Sequence, residues 1–349
     1  MAPPIESRSS EATGPAPVDD LPMVARQGRI DTASRAALLI LAAAALGLPF
    51  ILQALGSSYY LSFASRIVIY AIAATSLNLV LGYAGLVSFG HAAFVGLGAY
   101  ATGILISEGV VGGGWHLLAT VAVTGLAAAV IGAISLRTRG VYFIMITLAF
   151  AQMLYYLANS MKGYGGDEGL NIRARSLFGF GAIAYDLKNP SALYYTALAA
   201  LGASLLALDR FGPSRMGRAV VALRDDDVRA EALGFRTFRL KLVVFVVAGV
   251  LGGIAGALSV NLQGYVSPNV LHWTQSGTLM VMVILGGVAT VWGGLIGAAA
   301  LLLLQEMLSA YTDHWEFWTG WVLLAVVLFA RRGLVGLAAG LRSPRAPTG

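Results

Sequence analysis

Apolar runs separated by short polar breaks fill most of this chain: 36–55, 67–81, 92–106, 117–136 and 141–157 in the first half, then 192–208, 242–262, 277–291, 294–308 and 318–330. Such runs predict membrane-crossing helices, because a perpendicular helix needs about 20 apolar residues to traverse the hydrocarbon. Several runs are shorter, so they must borrow flanking residues, tilt, or cross partway. The pattern predicts an all-α fold of about ten spans. Residues 1–35, rich in Pro, Ser, Ala and charge, carry no apolar periodicity and predict a disordered tail. No signal peptide is expected, since the first apolar run starts at Ala36, behind a tail far longer than the usual charged leader region.

Composition agrees with the pattern. With 58% hydrophobic and 11% charged residues, the chain cannot hide its apolar surface in one aqueous core, so lipid must solvate much of it. The net charge of +6 does not imply nucleic acid, because the basic residues are scattered between apolar runs without an aromatic-interleaved patch. They report orientation instead. With both termini cytoplasmic, 18 of the 23 lysines and arginines fall inside, eight of them in the long break at 209–241; Arg66, Lys162, Arg173, Arg175 and Lys188 fall outside. An even number of crossings follows. The domain reading is a cytoplasmic tail at 1–35, a transmembrane domain at 36–330 with a cytoplasmic loop at 209–241, and a cytoplasmic tail at 331–349. The chain has no cysteine, and its four histidines lie too far apart in sequence for a local ligand pair, so no metal site is expected.

Within the long break, 214–235 reads SRMGRAVVALRDDDVRAEALGF. The pattern predicts two short helices, with Asp225, Asp226 and Asp227 suited to the start of the second and Gly234 to a left-handed position just past its end. A solvated connector is the competing reading. Here the sequence resembles the LivM-type branched-chain amino acid permeases of bacterial ABC importers. The resemblance also rests on GYAGLVSFGHAAF at 82–94, RGVYFIMITLAFAQML at 139–154, GGDEGL at 165–170, LGGVATVWGG at 285–294 and RRGLVGL at 331–337, so it covers about 60–337.

The resemblance implies a polytopic permease similar to type II ABC importers, lodged in the bacterial inner membrane. It implies partners: a second, LivH-type permease subunit, two ATP-binding subunits and an extracytoplasmic substrate-binding protein. It also implies that 218–241 docks on an ATPase, which assigns Arg218, Arg224, Asp227, Glu231, Ala232, Leu233 and Gly234 to coupling. A coupling helix must be short, apolar on one side and charged on the other, as 228–233 is. Arg236, Arg239 and Lys241 are expected to snorkel at the membrane interface. In the family, the stretch at Asp167 and Glu168 lies on the face that meets the binding protein; a solvated turn is the competing reading.

Glycines are dense at 82–98 and again at 286–297. Broken backbone at membrane depth is tolerated where protein or a water-filled cavity satisfies it, so the first stretch is expected to face the bundle interior. Asn78, Ser88 and His91 are candidate pathway residues, as are Gln152 and Thr290. His91 also reads as a ring bonded to backbone, Gln152 and Thr147 as bridges between helices, and most glycines as close-packing positions. Two glycine-broken segments hint at an internal repeat, which the span order does not establish.

The chain has no GxxxxGK[ST] stretch, so it is not expected to be the ATPase itself; no cofactor is expected on this chain, with ATP hydrolysed by partner subunits. No Ser-His-Asp grouping or dinucleotide fingerprint supports an enzyme. An ion-coupled secondary transporter would need membrane-buried titratable groups, whereas Glu108 and Glu306 fall at span ends. The expected cargo is branched-chain or other neutral amino acids, with urea and short amides as the nearest alternative.

Overall fold

The computed structural model of the protein describes residues 45–50, 58–180, 183–329 and 333–336. The tail at 1–35 and most of the runs at 36–55 and 331–349 lie outside them. Helix α1 (Ser58–Asn78) continues into a π-helical turn (Leu79–Tyr83), and an irregular stretch at 84–90 leads into α2 (His91–Ser107). Helices α3 (Gly113–Ser135) and α4 (Val141–Ser160) follow. The segment after α4 carries short strands β1 (Leu170–Asn171), β2 (Leu177–Phe180) and β3 (Ile183–Asp186). Helix α5 (Pro190–Phe211) precedes two short helices, α6 (Arg215–Asp225) and α7 (Asp227–Ala232). Then come α8 (Thr237–Gln263), β4 (Tyr265–Val266), α9 (Trp273–Gly286), α10 (Gly293–Ser309) and α11 (Trp315–Phe329).

Among the described residues, five helices are long and apolar enough to cross a membrane: α1 with its π turn, α3, α4, α5 and α8. Helices α2 and α9, with 17 and 14 residues, are about 25 and 21 Å long at ~1.5 Å per residue, short of the ~30 Å hydrocarbon. They begin side by side: the backbone N–H of Ala92 in the first turn of α2 donates to Ser276 Oγ in the first turn of α9 at 2.9 Å. A helix start has unpaired N–H groups, and here one buried group finds its partner on the neighbouring short helix.

Two of the boundary differences from the sequence reading bear on the sites below. The run at 277–291 is not one helix, because α9 stops at Gly286 and the chain turns through Gly287 (φ 124°) and Ala289 (φ 61°). Helix α1 starts at Ser58 rather than at 67, which places Arg66 inside a membrane-length helix instead of in an external loop.

The core forms around α1 and α8, whose most apolar windows are 72% and 61% buried; α3 and α4, at 28% and 22%, lie at the edge. Their uncovered apolar side chains, among them Leu118, Leu126, Met145 and Tyr156, suit lipid or another subunit. Helices α2 and α8 touch backbone to backbone. A Cβ at Gly256 would stand 1.8 Å from the carbonyl of Val95, and one at Gly98 would stand 2.1 Å from that of Gly253. Glycine is required at this crossing because any side chain would push the helices apart. At one end of the bundle, β1 pairs antiparallel with β4, and β2 with β3.

Candidate functional site

The 209–241 break folds as two helices with separate duties. Ser214 caps α6, its Oγ accepting from the Gly217 N–H at 3.0 Å. The apolar face of α6 (Ala219, Val220, Val221, Leu223) is buried in the bundle. Asp226 caps α7, its Oδ1 accepting from the Arg229 N–H at 3.0 Å. At the other end, Gly234 N–H donates to Glu231 C=O (2.9 Å) and Phe235 N–H to Ala230 C=O (3.2 Å), with Gly234 at φ 85°. This is the paired closure that a left-handed residue after a helix permits. On α7, Ala230 is buried against the protein while Val228 and Leu233 are 67% and 73% exposed, so its apolar tip points away from the bundle. Arg218, Glu231 and Ala232 are exposed as well.

Two side chains tie these helices to the membrane bundle. The stem of Arg224 lies on Gly85, and its Nη1 donates to the carbonyl of Gly82 in the π turn at 2.9 Å; Nη2 pairs with Asp225 at 3.2 Å. Asp227, at the start of α7, accepts from Lys241 Nζ in α8 at 2.6 Å, with Arg139 4.0 Å away. Lys241 therefore reaches back to α7 rather than out toward headgroups, because an acid in direct contact outcompetes a snorkelling position. Arg139 also stands 3.9 Å from Glu231. Between these groups and the turn joining α3 to α4 lies a cavity of about 430 Å³ with Arg137, Arg224 and Lys241 in its wall.

The π turn then meets the second glycine-rich break. Asn78 Oδ1 accepts from the Ala289 N–H at 3.0 Å, and its Nδ2 donates to the Thr290 carbonyl at 2.7 Å. A Cβ on Gly82 would stand 2.6 Å from the Ala289 nitrogen. Both hydrogen-bonding ends of the Asn78 amide are thus spent on the loop between α9 and α10, 211 and 212 residues away in sequence. Thr290 Oγ1 donates to Gly287 C=O at 2.7 Å, closing that loop locally.

The remaining candidates stand apart. His91 is fully buried, its Nε2 2.7 Å from Ser76 Oγ. Because Ser76 Oγ donates to Ala73 C=O at 2.7 Å, it accepts from His91, which fixes the Nε2–H tautomer. Ser88 is buried and accepts from the Gly90 N–H at 3.3 Å. Gln152 is half-buried on α4. Asp167 and Glu168 are exposed in a 3₁₀ turn at the strand-bearing end, where Tyr265 Oη donates to Glu168 C=O at 2.5 Å. Nearby, Tyr164 donates to Glu108 at 3.1 Å, which raises its phenol pKa. Sequence reasoning missed Arg66 and the contact between the two breaks. Arg66 carried a signal, a lone cation beside an apolar run.

Membrane-length helices, paired backbone breaks and a short-helix element between two long helices fit a multi-pass helical membrane protein. The chain belongs to the branched-chain amino acid transport system / permease component family, whose model matches residues 59–331. It is similar to the high-affinity branched-chain amino acid transport system permease protein LivM of Escherichia coli (29% identical, covering 78% of this chain and 69% of the relative) and of Salmonella typhimurium (28%, 78% and 69%). It is also similar to the permease protein LivH of Escherichia coli (25%, 76% and 91%). No solved structure matches the chain.

Proposed function

We propose that this chain is the LivM-like half of a heterodimeric ABC import permease that carries branched-chain or other neutral amino acids across a bacterial inner membrane. Its partners are a LivH-type permease, two ATP-binding subunits that hydrolyse the ATP, and an extracytoplasmic binding protein that delivers the solute. The chain binds no cofactor. It crosses the membrane about ten times in a type II arrangement, both termini and the 209–241 loop being cytoplasmic. The binding protein meets the opposite end, where Asp167 and Glu168 are exposed.

The observation that carries this reading is the unbroken connection from α7 to both breaks. An ATPase that grips Val228 and Leu233 moves α7, and with it α6 across the Asp226 cap. Arg224 passes the displacement to Gly82. Asn78, one turn before, passes it to Ala289 and Thr290. A π turn is a fitting receiver, since its widened hydrogen-bond ladder is found mostly at functional points of helices. Purified with its native partners and reconstituted in vesicles, the complex takes up leucine when ATP and loaded binding protein are supplied. Uptake driven by an ion gradient without ATP would refute the reading.

A further inference from the structure

A second cavity, of about 230 Å³, lies between α1, α2, α8, α9 and the 264–272 segment. Its volume falls just below the ~300–1,000 Å³ of sites for drug-sized ligands, which suits a smaller solute. The floor is apolar and buried: Ile69, Ala92, Ala255 and Leu279. Arg66, Gln263 and Asn269 line it from exposed positions.

Arg66 is the cation to explain. It sits eight residues into a membrane-length helix, about 12 Å along it at ~1.5 Å per residue. Among the described residues it forms no ion pair; its guanidinium carbon stands 5.8 Å from the ring centre of Tyr70. An unpaired charge inside a membrane segment costs free energy, and solute and ion paths are among the places where it is retained. The surroundings favour an anion. Ala92 and Gln275 belong to the first turns of α2 and α9, so two helix starts, each carrying partial positive charge, border the same space. Gln263 Nε2 donates to Ser259 Oγ at 3.0 Å, which leaves its carbonyl oxygen free to accept. Ser267, Asn269 and Gln275 add neutral donors and acceptors, and no acid lines the cavity.

We propose that this cavity is the solute's station within the membrane: Arg66 takes the carboxylate of an incoming amino acid, the side-chain amides take its ammonium, and the apolar floor takes its aliphatic side chain. This rests on the import reading above and deepens it by assigning the substrate groups to residues. Neutral polar residues suffice for the ammonium because the carboxylate is held by a full charge, the stronger contact.

The chain's lack of cysteine makes a direct test possible. Ser267→Cys, a near-isosteric change in the cavity wall, is labelled with a methanethiosulfonate reagent in the reconstituted complex with its native partners. Leucine supplied with loaded binding protein and ATP is expected to slow labelling severalfold. In Arg66→Gln/Ser267→Cys protection disappears while the unprotected labelling rate and complex recovery persist; in Arg66→Lys/Ser267→Cys part of it returns. At saturating loaded binding protein, Arg66→Gln lowers leucine uptake on the order of tenfold, the loss of a charge-assisted contact, with ATP hydrolysis retained. Leucine uptake without protection at Ser267→Cys, or protection that survives Arg66→Gln, overturns this inference alone. A complex that imports no leucine with ATP overturns the import reading and this inference with it.

Discussion

Gly234 and Asn78 show how much depends on individual residues. At Gly234 nothing lies within 4 Å of where a Cβ would stand, so its glycine serves backbone conformation and not space. A β-branched residue there meets the left-handed penalty, about 1–2 kcal/mol. Gly234→Val is expected to lower leucine transported per ATP hydrolysed while Gly234→Asn, which tolerates that conformation, retains most of it; equal behaviour of the two would remove the conformational argument. Asn78 is a different case, since its amide completes two backbone groups of the 287–292 loop. Asn78→Leu keeps the branched shape but leaves the Ala289 N–H unpaired, at a cost of about 1–3 kcal/mol, and takes from the Thr290 carbonyl the closer of its two donors, with the Gly293 N–H remaining at 3.3 Å. A thermal unfolding midpoint of the purified complex unchanged in Asn78→Leu would mean that the loop holds itself. The capping Asp226 and the closing Gly234 were legible because they act within a few residues. The partners of Asn78 were not, for no local pattern joins positions 211 residues apart.

At the scale of elements, the two short helices that the sequence pattern predicts in the long break, α6 and α7, have different surroundings. The buried face of α6 is an internal foundation, and the exposed Val228 and Leu233 of α7 are left for a partner. Leu233→Glu is expected to weaken recovery of the ATP-binding subunits in copurification, because a carboxylate in an apolar groove is left without a partner; normal recovery would show that this side chain is not in the contact. The long helices were readable from their apolar runs, and α7 from its start and stop residues. Helix α1 was read too short because its first turns carry Ser58, Tyr59, Tyr60 and Ser62, polar or amphipathic residues suited to a membrane boundary. That misreading concealed Arg66. Helix α9 was read too long because Val288, Ala289 and Val291 continue an apolar run through a loop whose polar backbone is satisfied from α1, a tertiary fact.

For the whole molecule, the two glycine-rich breaks, whose relation the span order does not establish, lie against each other, whereas the cavity at Arg66 is assembled from four helices and a connecting segment that no single window of sequence contains. Stiffness is unevenly distributed. Helices α2 and α8 touch along bare backbone, and α2 is joined to α3 by the hydroxyls of Thr102 and Thr120, 3.1 Å apart and both buried. Replacing these two threonines by cysteine and oxidising the pair is expected to leave ATP-driven uptake within about twofold, since close-packed interiors transmit motion rather than absorb it; abolished uptake, with the reduced protein active, would show that these helices must separate in each cycle. The glycine seam also constrains how the protein can change over time. Where two main chains touch, neither side can gain a methyl group unless the other retreats, so the crossing is closed to gradual alteration, and variety in cargo has to be written elsewhere, into walls built from side chains.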